Sequence, residues 1–230
     1  MEKRNRLALL DATALKLIAM ASMVFDHVGD NFFPQLIWMR VVGRIAMPIF
    51  AFCVAEGFIH TRNRLRYLRR MGVFALVSEI PFDLVTAGKA LEFTHQNIMV
   101  TFFWAILALL CFEKILSGGK KPGRIALGAA VLLLAMGGSL LLGMDYNALA
   151  VGLIFLFYLL RNKALPLRQI AGMAYHALLR NVGIYWFGLL GFVPLFCYNG
   201  RRGRGLKWLF YVFYPGHLLL IYVLRRLLAS

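Results

Sequence analysis

The sequence predicts an all-α fold, a polytopic bundle of about nine transmembrane helices with the N-terminus in the cytoplasm. Three observations carry this reading. Of 230 residues, 61% are hydrophobic and 16% charged. The apolar residues fall in runs too long for one face of a soluble helix, and a helix needs roughly 20 such residues to cross hydrocarbon. Basic residues gather between those runs, so the formal charge of +16 reads as the positive-inside bias and not as a nucleic-acid surface. No stretch between the runs reaches the ~50 residues of a separate soluble domain, and residues 1–230 are read as one domain.

Residues 1–6 are basic and precede an apolar stretch, as a signal peptide would. Lys16, Asp26 and His27 interrupt that stretch and no small-residue cleavage site follows, so it is expected to be a retained first helix. The spans are placed at about 12–31, 36–59, 68–87, 96–113, 124–142, 146–160, 166–179, 183–199 and 207–226. Turn signals at Ser117-Gly118-Gly119, Gly143 and Asn199-Gly200 punctuate them.

Five basic clusters set the orientation: Lys3, Arg4 and Arg6; Arg62, Arg64, Arg66, Arg69 and Arg70; Lys114, Lys120, Lys121 and Arg124; Arg161, Lys163 and Arg168; Arg201, Arg202, Arg204 and Lys207. Nine spans put all five inside. Residues 166–199 are the weak region, because two helices there are short and Arg180 would face outside. Fusing them gives eight spans but exports the cluster from Arg201 to Lys207, which the bias disfavours. A multi-pass protein of the inner or plasma membrane, in contact with its lipids, is expected.

A charge at mid-bilayer costs roughly 2.5–3.5 kcal/mol on insertion scales, so ionisable groups inside spans call for a partner or a water-filled cavity. Lys16, Asp26 and His27 lie in the first span, Arg40, Arg44 and Glu56 in the second, Glu79 and Asp83 in the third with Pro81 between them. His176 and His217 follow later. With the N-terminus inside, Asp26, His27, Arg40, Arg44, Glu79, Asp83 and Asn97 fall in the outer half and can form one cluster. Each pair alone is equally well a helix–helix contact; the whole set in one layer exceeds what a bundle needs.

Lys16 and His27 are eleven residues apart, about 1100° of helix, and so lie within ~20° of one face and ~16 Å apart along it. Met20 and Met23 lie between them, and a long thin ligand fits such a stripe. Asp26, next to His27 in sequence, points elsewhere and is expected to meet an arginine of another helix. A neutral imidazole can accept a proton near neutral pH, which makes His27 a candidate base; a lone membrane histidine is more often only a hydrogen-bonded helix contact. HTRNRLRYLRR, from His60 to Arg70, offers five arginines at one end of two spans, either as phosphate forks or as topology signals. Cys53, Cys111 and Cys197 stand singly in apolar runs, so buried thiols are expected, with no metal site or disulfide. In the last span Pro215 removes a backbone donor and Gly216 permits close approach beside His217.

LKLIAMASMVFDH, RVVGRIAMPIFAFCVAEGFIHTRNRLRYLRR, SEIPFD, Asn97, YNGRRGRG and FYPGHLLLIY together resemble the TraX family, membrane proteins associated with acetylation of the pilin subunit of conjugative plasmids. The match runs from the first span to the last. TraX in turn resembles the type 3 membrane acyltransferases, whose first span carries a basic residue, ten intervening residues and a histidine, the spacing that Lys16 and His27 keep. The resemblance implies an acyl-CoA donor, acetyl-CoA first, bound from the cytoplasm, with no metal. It implies His27 as catalytic base with Asp26 beside it, Lys16 as a donor-channel residue, and Arg62, Arg64, Arg66, Arg69 and Arg70 as phosphate contacts. Glu56, Glu79, Asn97 and His217 belong to the family pattern without an assigned role. The acceptor is open: a pilin-like peptide amine, a glycan hydroxyl or a lipid headgroup. A proton-coupled carrier and a non-catalytic assembly factor for a surface appendage are the competing readings.

Overall fold

Lipid leaves a single chain segment one local way to satisfy its own peptide groups, and this chain takes it almost throughout. The computed structural model describes residues 9–119, 121–179 and 183–229, and these are helical except for short connections and two isolated bridges. Lys3, Arg4, Arg6, Lys120 and Arg180 lie outside the described residues.

Side-chain caps set several boundaries. Asp11 starts α1 (Ala12–Phe32) by accepting the Ala14 N–H at 2.8 Å. α2 (Ile37–Gly43) and α3 (Ala46–His60) follow, then α4 (Arg64–Thr86), capped by Asn63 on the Arg66 N–H at 2.8 Å. Asn97 caps α5 (Ile98–Leu116) through the Met99 N–H, and Pro122 opens α6 (Pro122–Leu141) where its missing N–H costs nothing. α7 (Asn147–Leu159) and α8 (Leu165–Leu179) lead to a 3-10 segment, Gly183–Gly191, then α9 (Phe192–Phe196) and α10 (Lys207–Ala229).

Five stretches among the described residues are long and apolar enough to cross a bilayer: Ala12–Phe32, Ile37–His60, Ile98–Leu116, Pro122–Leu141 and Trp208–Leu228. The second is interrupted at Arg44 and Ile45, because Pro48 lacks an N–H and its ring clashes with a helical carbonyl four residues back, at Arg44. The arginine-rich stretch is mostly helix and not loop, since Asn63 caps it and leaves only 61–63 as connection. The segment placed at 183–199 is 3-10 and then α-helical, ending at Phe196; 3-10 rise carries fewer residues further. Cys53 is buried as expected, but Cys111 is exposed on the outer face of α5, where lipid is the solvent.

α1, α3, α4, α5 and α10 surround an internal space, with α10 packed on both α4 and α1. α7, thirteen residues and apolar all round, is the buried pillar behind α3 and α5. α6 stays peripheral, presenting Leu133, Leu134 and Leu141 outward. At one end Leu10 pairs with Tyr198, and the Ala12 N–H bonds to Arg201 O at 2.9 Å. At the other, Gln96 pairs with Met144 across Gly143.

Where α1 meets α2 the backbones approach through Gly43: a Cβ there would overlap the Asp26 side chain and stand 2.8 Å from its Cα. Gly43→Ala is expected to destabilise the bundle by about 1–3 kcal/mol, the range for overpacking. Thermal unfolding in detergent checks this, and an unchanged Tm would mean that α1 and α2 part without cost.

Candidate functional site

The space inside the bundle is a cavity of about 730 Å³. Its walls follow from helical phase. On α1, Ala12, Lys16 and Met23 share one stripe and all face it; on α4, Tyr67, Arg70 and Met71 do the same. One end is polar, with His60, Arg62, Arg70 and Arg202. The other is apolar, closed by Ile98, Met99, Phe102, Phe213 and Tyr214. Lys16 lies between, its Nζ 4.9 Å from the Phe210 ring centre.

Only two of the five α3–α4 arginines face this cavity, Arg62 and Arg70. Arg64 turns to Glu113, which also accepts a hydrogen bond from the Tyr158 hydroxyl. Arg66 and Arg69 are exposed, and Arg69 shares its helix face with the exposed Val73, Leu76 and Ile80. That face meets lipid, so these two snorkel toward headgroups. Arg202 completes the rim in their place. It lies in the connection that Thr13 Oγ1 holds by donating to Arg204 O at 2.8 Å. Its cluster read as a topology signal in sequence, and only the pairing of residues 10–13 with 198–204 brings it to the cavity.

Beyond the apolar end, His27 Nδ1 lies 2.8 Å from His217 Nε2. His217 Nδ1 lies 2.9 Å from Phe213 O, four residues back. The Phe213 and His217 rings are parallel within 9°, with centres 4.7 Å apart. Phe213 and Tyr214 therefore form a partition with the cavity on one side and the histidine pair on the other. His27 does not line the cavity itself, although its stripe partners Lys16 and Met23 do.

Asp26 turns away from His27 to α2. Arg40 Nε donates to its Oδ1 at 2.7 Å, and Arg44 to its Oδ2, while Arg40 also reaches Asp30. Arg44 is buried, with the rings of Tyr146 and Tyr185 beside its guanidinium at 5.8 and 5.4 Å.

The other ionisable residues fall into separate groups. Glu79 accepts from Asn97 Nδ2, which also donates to Ala75 O at 3.0 Å. Asp83 accepts the Glu92 N–H at 2.8 Å and so holds the connection between α4 and α5. Glu56 is twelve residues from Arg44, about 18 Å along the helix, and belongs to the polar end. It pairs with buried Arg168 at 2.7 Å and with His60 at 3.4 Å. Arg168, counted in sequence with the basic cluster of Arg161 and Lys163, is thus a core residue. His176 is a helix contact, its Nε2 3.0 Å from Tyr185 O.

The family pattern described as TraX protein matches residues 11–225. The "Probable fimbrial assembly protein FimC, serogroup H1" of Dichelobacter nodosus is 31% identical over 233 residues, covering 91% of this chain and 93% of that protein. An uncharacterised protein of Rickettsia prowazekii (strain Madrid E) is 23% identical over 154 residues, 67% of this chain and 57% of its own. No solved structure matches. With the apolar helices and the matched motifs running from α1 to α10, this membrane protein belongs to the TraX family.

Proposed function

We propose that the protein is an acyltransferase that carries an acyl group, acetyl first, from cytoplasmic acyl-CoA to an amine or hydroxyl at the outer face. The observation that carries this reading is the cavity between Arg62, Arg70 and Arg202 at one end and the partition below His27 at the other. Guanidinium forks suit phosphate oxygens, and the apolar far end suits a thin acylated arm. Arg70 Nε is buried without a hydrogen-bond partner in the protein, as a ligand-facing donor would be.

In this reading His27 takes the proton from the attacking amine or hydroxyl as the new bond to the carbonyl carbon forms. The carbon–sulfur bond then breaks, and the thiolate leaves with the proton that His27 returns. Lys16 lies along the donor path, and membrane lipids surround the rest. The name of the Dichelobacter relative favours a second reading, a non-catalytic factor for assembly of a surface fibre. Under acyl transfer the same association makes a fimbrial or pilin-like peptide one candidate acceptor, beside glycans and lipids.

The orientation follows as part of the proposal. The pairing of residues 10–13 with 198–204 puts the start of α1 and the Arg201–Lys207 cluster on one side, as nine crossings with a cytoplasmic N-terminus require. A cysteine at Lys89, in a chain whose native cysteines are replaced, is expected to react with an impermeant maleimide on intact cells. One at Ser117 is expected to react only after permeabilisation, and the reverse pattern would invert the proposal.

Purified protein given radiolabelled acetyl-CoA and a membrane extract is expected to label an acceptor, and His27→Ala to lower that labelling by at least about 100-fold. A folded His27→Ala protein that labels as well as the parent rejects His27 as the base, and no protein-dependent label in any fraction rejects the enzyme and leaves the assembly factor. Arg70→Gln and Arg202→Gln are each expected to raise the KM for acetyl-CoA by about tenfold, the loss of one charge-assisted hydrogen bond, at nearly constant kcat. Donor-saturation curves for the two variants measure this.

A further inference from the structure

We propose that His217 is a positioning residue that fixes the tautomer of His27, leaving His27 Nε2 as the open lone pair. The inference rests on the reading of His27 as the base, and its structural half stands on the hydrogen bonds alone.

A carbonyl oxygen can only accept, so the 2.9 Å contact between His217 Nδ1 and Phe213 O places a proton on Nδ1. A neutral imidazole carries one N–H, and His217 Nε2 is then an acceptor. The atom 2.8 Å from it, His27 Nδ1, must donate. His27 has its single proton on Nδ1, and Nε2 is bare. Free imidazole side chains in water favour the opposite form, so the partner makes a difference.

Ring geometry supports a directed bond. The two imidazole centres are 5.0 Å apart with only 6° between their planes. With nitrogens 2.8 Å apart, that separation is edge to edge, which puts the hydrogen bond close to the plane of both rings. His217 cannot readily turn away. It is buried, bonded back to its own helix, and its ring lies parallel to Phe213.

The catalytic logic is that of a base oriented by a third group, with a neutral imidazole in the place a carboxylate often takes. Asp26 is unavailable for that place, since both its oxygens are held by Arg40 and Arg44. When His27 accepts a proton on Nε2, its Nδ1–H continues to donate to His217 Nε2, which stabilises the imidazolium without another buried anion.

The test uses the full chain in detergent with ¹⁵N-labelled histidine, assigned by His27→Ala. The nitrogen shifts of His27 are expected to show Nδ1–H in the parent. His217→Phe and His217→Leu remove the acceptor, and whichever folds is expected to show Nε2–H at His27. His217→Gln, whose amide oxygen accepts, is expected to keep Nδ1–H. Labelling from acetyl-CoA should fall about 100-fold in the Phe or Leu variant at unchanged donor KM, and recover at least tenfold in the Gln variant. Nε2–H in the parent overturns the inference, as does full labelling activity in a folded Leu or Phe variant while His27→Ala is dead. If Nδ1–H is found but no chain labels anything, the tautomer assignment stands and the acyltransferase reading falls.

Discussion

A carboxylate taken into an apolar bundle needs cations beside it, and Asp26 is met by two. Taking these charges from water costs several kcal/mol per ion, so the pair adds little net stability while fixing geometry tightly. Gly43 lets α2 come close enough for the arginines to arrive, and Ser22, one turn earlier, donates to Val42 O at 2.5 Å. The phase of α1 is thereby set. With 100° per residue, holding residue 26 on α2 turns residue 27 toward α10 and residues 16 and 23 into the cavity. The histidine pair and the cavity wall are both consequences of where Asp26 is tied.

The polar end is held by different means. Backbone pairing joins the start of α1 to the 198–204 connection, and Glu56 with Arg168 ties the end of α3 to α8. Arg64, Glu113 and Tyr158 gather α4, α5 and α7. These contacts engage Arg64 and Arg168 and leave Arg62, Arg70 and Arg202 at the polar end of the cavity, with Lys16 further in. Rim and far end are anchored by separate networks, and a ligand spanning them would meet two independently rigid ends.

Much of this was legible in the sequence, and the limits have physical reasons. Apolar runs specify helices because lipid allows nothing else, and the i, i+7, i+11 phase put Lys16, Met23 and His27 on one stripe of α1. The expectation that Asp26 would leave its neighbour for an arginine needed only the 100° step. What periodicity cannot supply is which helices are neighbours. Arg202 and Arg168 carry the same charge as their clustered companions, and only the packing of distant segments sends one to the cavity rim and the other to Glu56. His217 was visible as a polar residue in an apolar span, yet its partner lies 190 residues away. α8 lies where its apolar run predicts, while the segment after it is 3-10 before it is α-helical, because the two share one hydropathy signal and differ in rise.

Packing explains the ion pairs without any appeal to function, because a bundle that admits charges must pair them. It does not explain the cavity. Interiors close to crystal density, and an unfilled volume forfeits dispersion contacts along its whole lining. Here a partly open space of about 730 Å³ persists among large residues, only part of its lining being interior in that sense. Along its wall Lys16 holds its Nζ over an aromatic ring, and Arg70 Nε has no acceptor. A purely structural scaffold gains from closing such a space and neutralising such a rim. The rim, the cavity and the hydrogen-bonded histidine pair beyond it are the ordered set that the proposed transfer from one face to the other would use.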